Sequence, residues 1–123
     1  MNSSIVIALP KIDDAKKIRT ILNRHGFSVA AVCSTASTAL ASMSELDGGI
    51  LICGYKLTDR YYRDVLEDIP SYFEMLLLAS GRVIAEAPTS VLTVEMPMKV
   101  SDLVNTVDMM SVSYTHLRAH ETK

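Results

Sequence analysis

Residues 50–59 read ILICGYKLTD, from Ile50 to Asp59. Four apolar residues run without interruption into Gly54, and a polar, turn-like segment follows. A short unbroken apolar run is the pattern of a strand covered on both faces rather than one with a wet side. Asp47-Gly48-Gly49 precedes it with turn chemistry. Ile50 to Cys53 is therefore expected to be the most central strand, with Gly54 at its C-terminal end.

Working outward, Ile5 to Leu9 is a second continuous apolar run, ended by Pro10. Ile12, Ala15, Ile18 and Leu22, with Ile21 beside them, share one helical face, and Gly26 is the stop signal. Asp13 and Asp14 lie in the first turn and Lys16, Lys17 and Arg19 come later, the order that the helix dipole favours. Phe27 to Cys33 reads as a strand leading to Ser34 as a cap, and Ala36, Ala39, Leu40 and Met43 form a narrow helical face. After the central strand, a helix is expected over 59–68, carrying Tyr62, Val65 and Leu66 and closed by Pro70. Met75 to Ala79 is a strand, 81–87 a short helix, and Val91 to Glu95 the last strand. Met96-Pro97 is a break, and Val100, Leu103, Val104 and Val107 form the apolar face of a final helix.

Five strands alternating with five helical patterns predict right-handed crossovers and an α/β fold. The expected architecture is a doubly wound five-stranded parallel sheet with helices on both faces, of flavodoxin-like type. A chain of 123 residues has room for one such core. In these sheets, function gathers at the C-terminal ends of the strands. That directs attention to Leu9 and Pro10, Gly54, Ala79 and Ser80, and Met96 and Pro97.

The bulk numbers are those of an ordinary globular protein, 49% apolar and 21% charged, with a net charge of −2. Scattered basic residues give no face for nucleic acid. The only apolar run near the N-terminus is too short for a signal sequence or a membrane span. Cys33 and Cys53 read as buried, reduced thiols of a cytoplasmic protein. The sequence alone leaves a disulfide between them open.

At the four strand ends the chain resembles the receiver domain of bacterial response regulators, over roughly Ile5 to Met110. "GYKLTD" is similar to the receiver segment in which an acceptor Asp is followed by Tyr, Lys or Arg, Leu, Pro and Asp. "VEMPMKVSDLVNTV" is similar to the end of the fifth strand, where receivers carry Lys-Pro-aromatic and then a Leu-rich helix. The resemblance implies an acidic pair that binds Mg²⁺ at Leu9 and Pro10, and the phosphoryl acceptor at Gly54. It also implies a Thr or Ser at Ala79, or at Ser80 with a one-residue shift, a charge-neutralising Lys at Met96, and a conserved proline at Pro97.

Only Pro97 keeps the family's residue type. Glycine supplies no nucleophile for an acyl phosphate. Leu9, Pro10 and Gly54 offer no hard oxygen ligand for Mg²⁺, and the Met96 thioether carries no charge. The expectation is a non-catalytic pseudo-receiver with no cofactor and no metal. It would signal through a protein partner or a homodimer, using the last strands and the final helix.

A second reading keeps phosphotransfer through a displaced acidic site of Asp13, Asp14 and Asp59. The first two lie about one helical turn, 5–6 Å, further along the chain. Set against it, Asp13 and Asp14 suit a solvated first turn, and Asp59 suits a turn or helix start after Thr58. A third reading, a small flavodoxin-like cofactor binder, needs a Gly-rich phosphate cradle after the first strand. "ALPKIDD" has none.

The segment Ser111 to Lys123, SVSYTHLRAHETK, departs from the preceding apolar pattern. His116 and His120 have a zinc-compatible spacing with Glu121 alongside, but Leu117 stands where a metalloprotease carries its Glu. "VSYTHLRAHET" resembles translated sequencing-adaptor sequence. Residues 1–110 are therefore expected to form the receiver-like domain and 111–123 a non-native or disordered tail. "ALPKIDDAKKIRTIL" and "MPMKVSDLVNTVDMM" are similar to the N-terminal half of ANTAR regulators, in which a helical RNA-binding domain follows. RNA contact is implied only through such a domain, beyond this chain.

Overall fold

The computed structural model of the chain describes residues 4–96 and 99–121, with side chains as far as residue 111. Its strands are β1 (Ser4–Ala8), β2 (Val29–Cys33), β3 (Gly49–Gly54), β4 (Phe73–Ala79) and β5 (Leu92–Glu95). They alternate with helices α1 (Ile12–Arg24), α2 (Ala36–Ser44), α3 (Tyr62–Asp68), α4 (Gly81–Ala85) and α5 (Val100–Glu121). All the pairings are parallel, in the order β2-β1-β3-β4-β5. This is the doubly wound α/β sheet that the alternation of elements predicts.

The unbroken apolar runs follow from burial on two sides, because successive strand residues point to opposite faces. Val6 and Ala8 of β1, Leu51 and Cys53 of β3, and Met75 and Leu77 of β4 enter one core layer with Ala36, Ala39, Met43, Tyr62 and Val65 of α2 and α3. Ile5 and Ile7, Ile50 and Ile52, and Leu76 and Leu78 enter the opposite layer. There they meet Ala15, Ile18 and Leu22 of α1 and Leu103, Val107 and Met110 of α5. Each fully buried aliphatic side chain contributes about 1.5–3 kcal/mol relative to exposure.

Several boundaries differ from the sequence expectation, each for a local reason. Leu9 lies one residue past β1, although it is buried and its N–H donates to the Cys33 carbonyl at 3.1 Å. Phe27 lies in the turn that closes α1 rather than in β2, since its N–H donates to the Leu22 carbonyl at 2.9 Å. Gly26 turns the chain there at φ +88. The cap of α2 is Thr35, not Ser34: the Thr35 hydroxyl accepts the Thr38 N–H at 3.2 Å. The helix expected over 59–68 begins only at Tyr62. Before it, Lys56 and Tyr61 form an antiparallel bridge and the Leu57 N–H donates to the Arg60 carbonyl at 2.7 Å. The α5 backbone continues to Glu121. The expectation for residues 111–123 concerns packing, and their side chains beyond Ser111 lie outside the described residues, as do those of His116, His120 and Glu121.

Cys33 and Cys53 are free and buried. They flank Ala8 in register, one on each neighbouring strand. Two strand spacings put their Cα atoms about 10 Å apart, beyond the roughly 7 Å that a disulfide tolerates. The disulfide left open by the sequence is therefore excluded in this fold.

Burial pushes the Cys53 thiol up from 9.0 to about 12, and raises Cys33 in the same direction against an opposing hydrogen bond from Ser42. Above pH 9 the unfolded chain releases the Cys53 proton while the folded chain keeps it. Stability therefore falls as pH rises from about 9 towards 12. Urea unfolding at pH 8 and pH 10 is expected to show a loss about 1.4 kcal/mol larger in the wild type than in Cys53→Ala. An equal loss in both proteins would contradict the burial of this thiol.

Candidate functional site

The chain steps from β1 outward to β2, then returns across β1 to place β3 on its other side. The order of the strands reverses between β1 and β3, and a crevice at the C-terminal ends of such a pair is where doubly wound sheets bind ligands. Leu9 and Pro10 leave β1 at this point, and Gly54 ends β3. The structure brings these three residues together. A Cβ built on Gly54 would meet Leu9 Cδ2 at 3.0 Å, Pro10 Cδ at 3.5 Å and the Ala8 carbonyl oxygen at 4.0 Å. A side chain at this position would start against the hydrocarbon of Leu9 and Pro10.

The remaining strand ends continue the row. Gly54 pairs with Leu78, and Ala79 with Glu95. Ala79 is buried, whereas Ser80 is exposed and precedes α4 without a side-chain capping bond. The Met96 side chain is exposed, and its N–H donates to the Ala79 carbonyl at 2.8 Å. Pro97 lies outside the described residues. The side chains at positions 9, 10, 54, 79 and 96 contain no oxygen, so this row does not fit the hard-ligand needs of Mg²⁺.

The three acidic candidates are deployed differently. Asp13 and Asp14 are exposed in the first turn of α1. Asp59 lies in the β3–α3 loop and reaches across to α2. Its Oδ1 accepts the Ala36 N–H at 2.7 Å, and its Oδ2 accepts the Ser37 N–H and hydroxyl at 3.2 Å each. The Ala36 amide is the main cause holding the Asp59 carboxyl below its ordinary value, and Ser37 reinforces it. Among the described residues, no three His, Cys, Asp or Glu side chains converge as a metal site would require.

Asp59 is thus a helix cap supplied from a distant loop, where the sequence suggested a local turn or helix start. It satisfies two of the amides that the first turn of α2 leaves without helical partners. Asp59→Ala is expected to cost about 1 kcal/mol, measured by urea unfolding at neutral pH. Asp59→Asn should retain part of this. Because the folded pKa is depressed, the charge-dependent part is present above the ordinary carboxylate range and lost as pH falls through the lowered value. An Asp59→Ala midpoint equal to wild type would remove the capping role.

Beside Gly54, Tyr55 opens an aromatic cluster that the pattern of strand ends does not reveal. Its ring centroid is 5.4 Å from Tyr61 and 6.1 Å from Tyr62. The guanidinium of Arg63 lies 5.7 Å from the Tyr62 ring centre, and its Nη2 donates to the Glu86 carbonyl at 2.7 Å. The signal available in the sequence was the crowding of three of the five tyrosines into residues 55–62.

No protein-family model matches the sequence, and no curated protein matches it. Solved structures do match. A response regulator receiver domain protein from Clostridium thermocellum superposes with a TM-score of 0.76 at 16% identity, over 94% of this chain and 98% of that one. The chain has the receiver fold.

A structure described as adenylate cyclase from Rhodopirellula baltica gives a TM-score of 0.86 at 16% identity, over 99% and 96% of the two chains. The anti-anti-sigma factor PhyR from Bartonella quintana gives 0.79 at 14% identity, over 100% of this chain and 52% of its own. The chain therefore spans about half the length of PhyR. At these identities the likeness is one of receiver fold. Among the described residues, no helix is long and apolar enough to cross a membrane.

Proposed function

We propose that this receiver fold is a non-catalytic regulatory module, a cytoplasmic pseudo-receiver that signals through protein contacts without aspartyl phosphorylation. The observation that carries this reading is the chemistry at and around Gly54. The residue has no nucleophile, and the side-chain atoms nearest to it, Leu9 Cδ2 and Pro10 Cδ, are carbons that offer Mg²⁺ no ligand. Asp59, the acidic residue of the following loop, has both carboxylate oxygens engaged by α2. That weighs against a displaced acidic site shared with Asp13 and Asp14.

The module would act through the β5–α5 edge, to a protein partner or a second copy. Leu92, Met96, Val100 and Met109 are exposed there, large apolar groups that a partner could cover. The wording of "ALPKIDDAKKIRTIL" and "MPMKVSDLVNTVDMM" supports an origin in an ANTAR-type antitermination regulator. RNA would be bound only by a following helical domain. An intact genomic reading frame continued past Met110 tests that attachment.

The phosphotransfer question has a direct test. Incubation with a small-molecule phosphodonor and Mg²⁺, followed by intact-mass measurement, is expected to leave the mass unchanged. A receiver that retains its acceptor Asp, run in parallel, should gain one phosphoryl group. Stoichiometric gain by this chain would overturn the reading, and loss of that gain in Asp59→Asn would locate the displaced site.

A further inference from the structure

A cavity of about 390 Å³ lies between the β3–α3 loop, α3 and α4, lined by Tyr55, Tyr61, Tyr62, Arg82, Val83 and Glu86 among others. This volume falls within the range of small-molecule sites. Tyr55 and Tyr61 are each 45% exposed although their rings are in edge contact, so aromatic surface is presented to solvent. Tyr62 is buried and forms part of the core layer beneath.

The charges around the cavity are unequal in what they can still do. Arg63 is committed to the Tyr62 ring and the Glu86 carbonyl, and Lys56 Nζ sits 5.4 Å from the Tyr61 ring centre. Asp64 and Glu86 also line the cavity and bring negative charge. Arg82 makes no hydrogen bond or ion pair among the described residues. Its planar guanidinium can take a carboxylate through two parallel N–H donors. α4 has only five residues, so Arg82 rather than the helix end is the anion-recognising element.

We propose that this cavity binds a small planar aromatic acid, its ring against Tyr55 and Tyr61 and its carboxylate on Arg82. Aromatic faces favour stacked or edge-on rings. The single uncommitted guanidinium selects a ligand with one anionic group at the ring's edge. The proposal goes beyond the pseudo-receiver reading and does not depend on it.

Calorimetric titration of the full chain with 2-naphthoate and with neutral 2-naphthamide tests the idea. Saturable binding of the acid is expected, weakened about tenfold in the amide and about tenfold by Arg82→Gln, the usual worth of a charged hydrogen-bonding partner. Arg82→Lys should fall between. Should Arg82→Gln fail to fold by circular dichroism, the acid and amide compared on the wild type decide alone. Absence of saturable binding at millimolar acid, or equal affinity for acid and amide, would overturn the proposal, whatever the phosphodonor experiment shows.

Discussion

Gly54→Asp, the substitution that restores the receiver's acceptor residue, is expected to destabilise the protein by about 3–5 kcal/mol and to confer no phosphotransfer. Gly54 is buried at the end of β3. The new Cβ would already touch Leu9 Cδ2 at 3.0 Å and Pro10 Cδ at 3.5 Å, and neither side chain offers the carboxylate beyond it a polar partner. A buried carboxylate without a partner either keeps its charge at great cost or takes up a proton. In neither form is it expected to hold Mg²⁺, because the side chains of residues 9 and 10 contribute no oxygen beside it. Gly54→Ala separates the two terms. It carries the steric contact alone, against the flexible end of a leucine, and should cost about 1 kcal/mol. Urea midpoints for both variants, with intact mass after phosphodonor treatment, check the expectation. A Gly54→Asp protein as stable as wild type and stoichiometrically phosphorylated would mean that the site had kept its chemistry in reserve.

Gly49→Ala should be similarly damaging, about 3 kcal/mol or more, for a reason unrelated to charge. A Cβ on Gly49 would collide with the Ser4 carbonyl oxygen and lie 2.8 Å from the Ser4 carbonyl carbon. These are backbone atoms of the paired strand, since Ser4 and Gly49 are register partners where β1 meets β3. No rotamer relieves the contact; the two central strands must separate at that end. Gly26→Ala is the control. Its φ of +88 is unfavourable for alanine, but nothing lies within 4 Å of the added carbon. Only backbone strain of about 1–2 kcal/mol is expected there. Equal midpoints for Gly49→Ala and Gly26→Ala would contradict the close approach of β1 and β3.

The parts of this fold legible in the sequence were those governed by periodicity. Ile50 to Cys53 and Met75 to Ala79 read as strands because both faces are buried, so each residue of the run is apolar. Ile18 and Leu22 marked the inner face of α1 for the complementary reason. What escaped were features set by partners distant in sequence. Asp59 looked like the start of its own helix, yet it caps one that begins 23 residues earlier, and no local pattern records that pairing. Phe73 and Gly49 joined their strands because they pair with each other across β3 and β4. At the strand ends, the missing carboxylates were readable as residue types. That Leu9 and Pro10 abut Gly54 required coordinates.

The bond from Ala36 to Asp59 has a spectroscopic consequence. Ala36 is the first residue of α2, and its amide has no carbonyl partner within that helix. Its protection against exchange with solvent deuterium therefore depends on the β3–α3 loop staying in place. A single NMR resonance, that of the Ala36 N–H, is a built-in gauge of how often residues 55–61 lift away. It can be read without a mutation, and a ligand seated against Tyr55 and Tyr61 should slow its exchange.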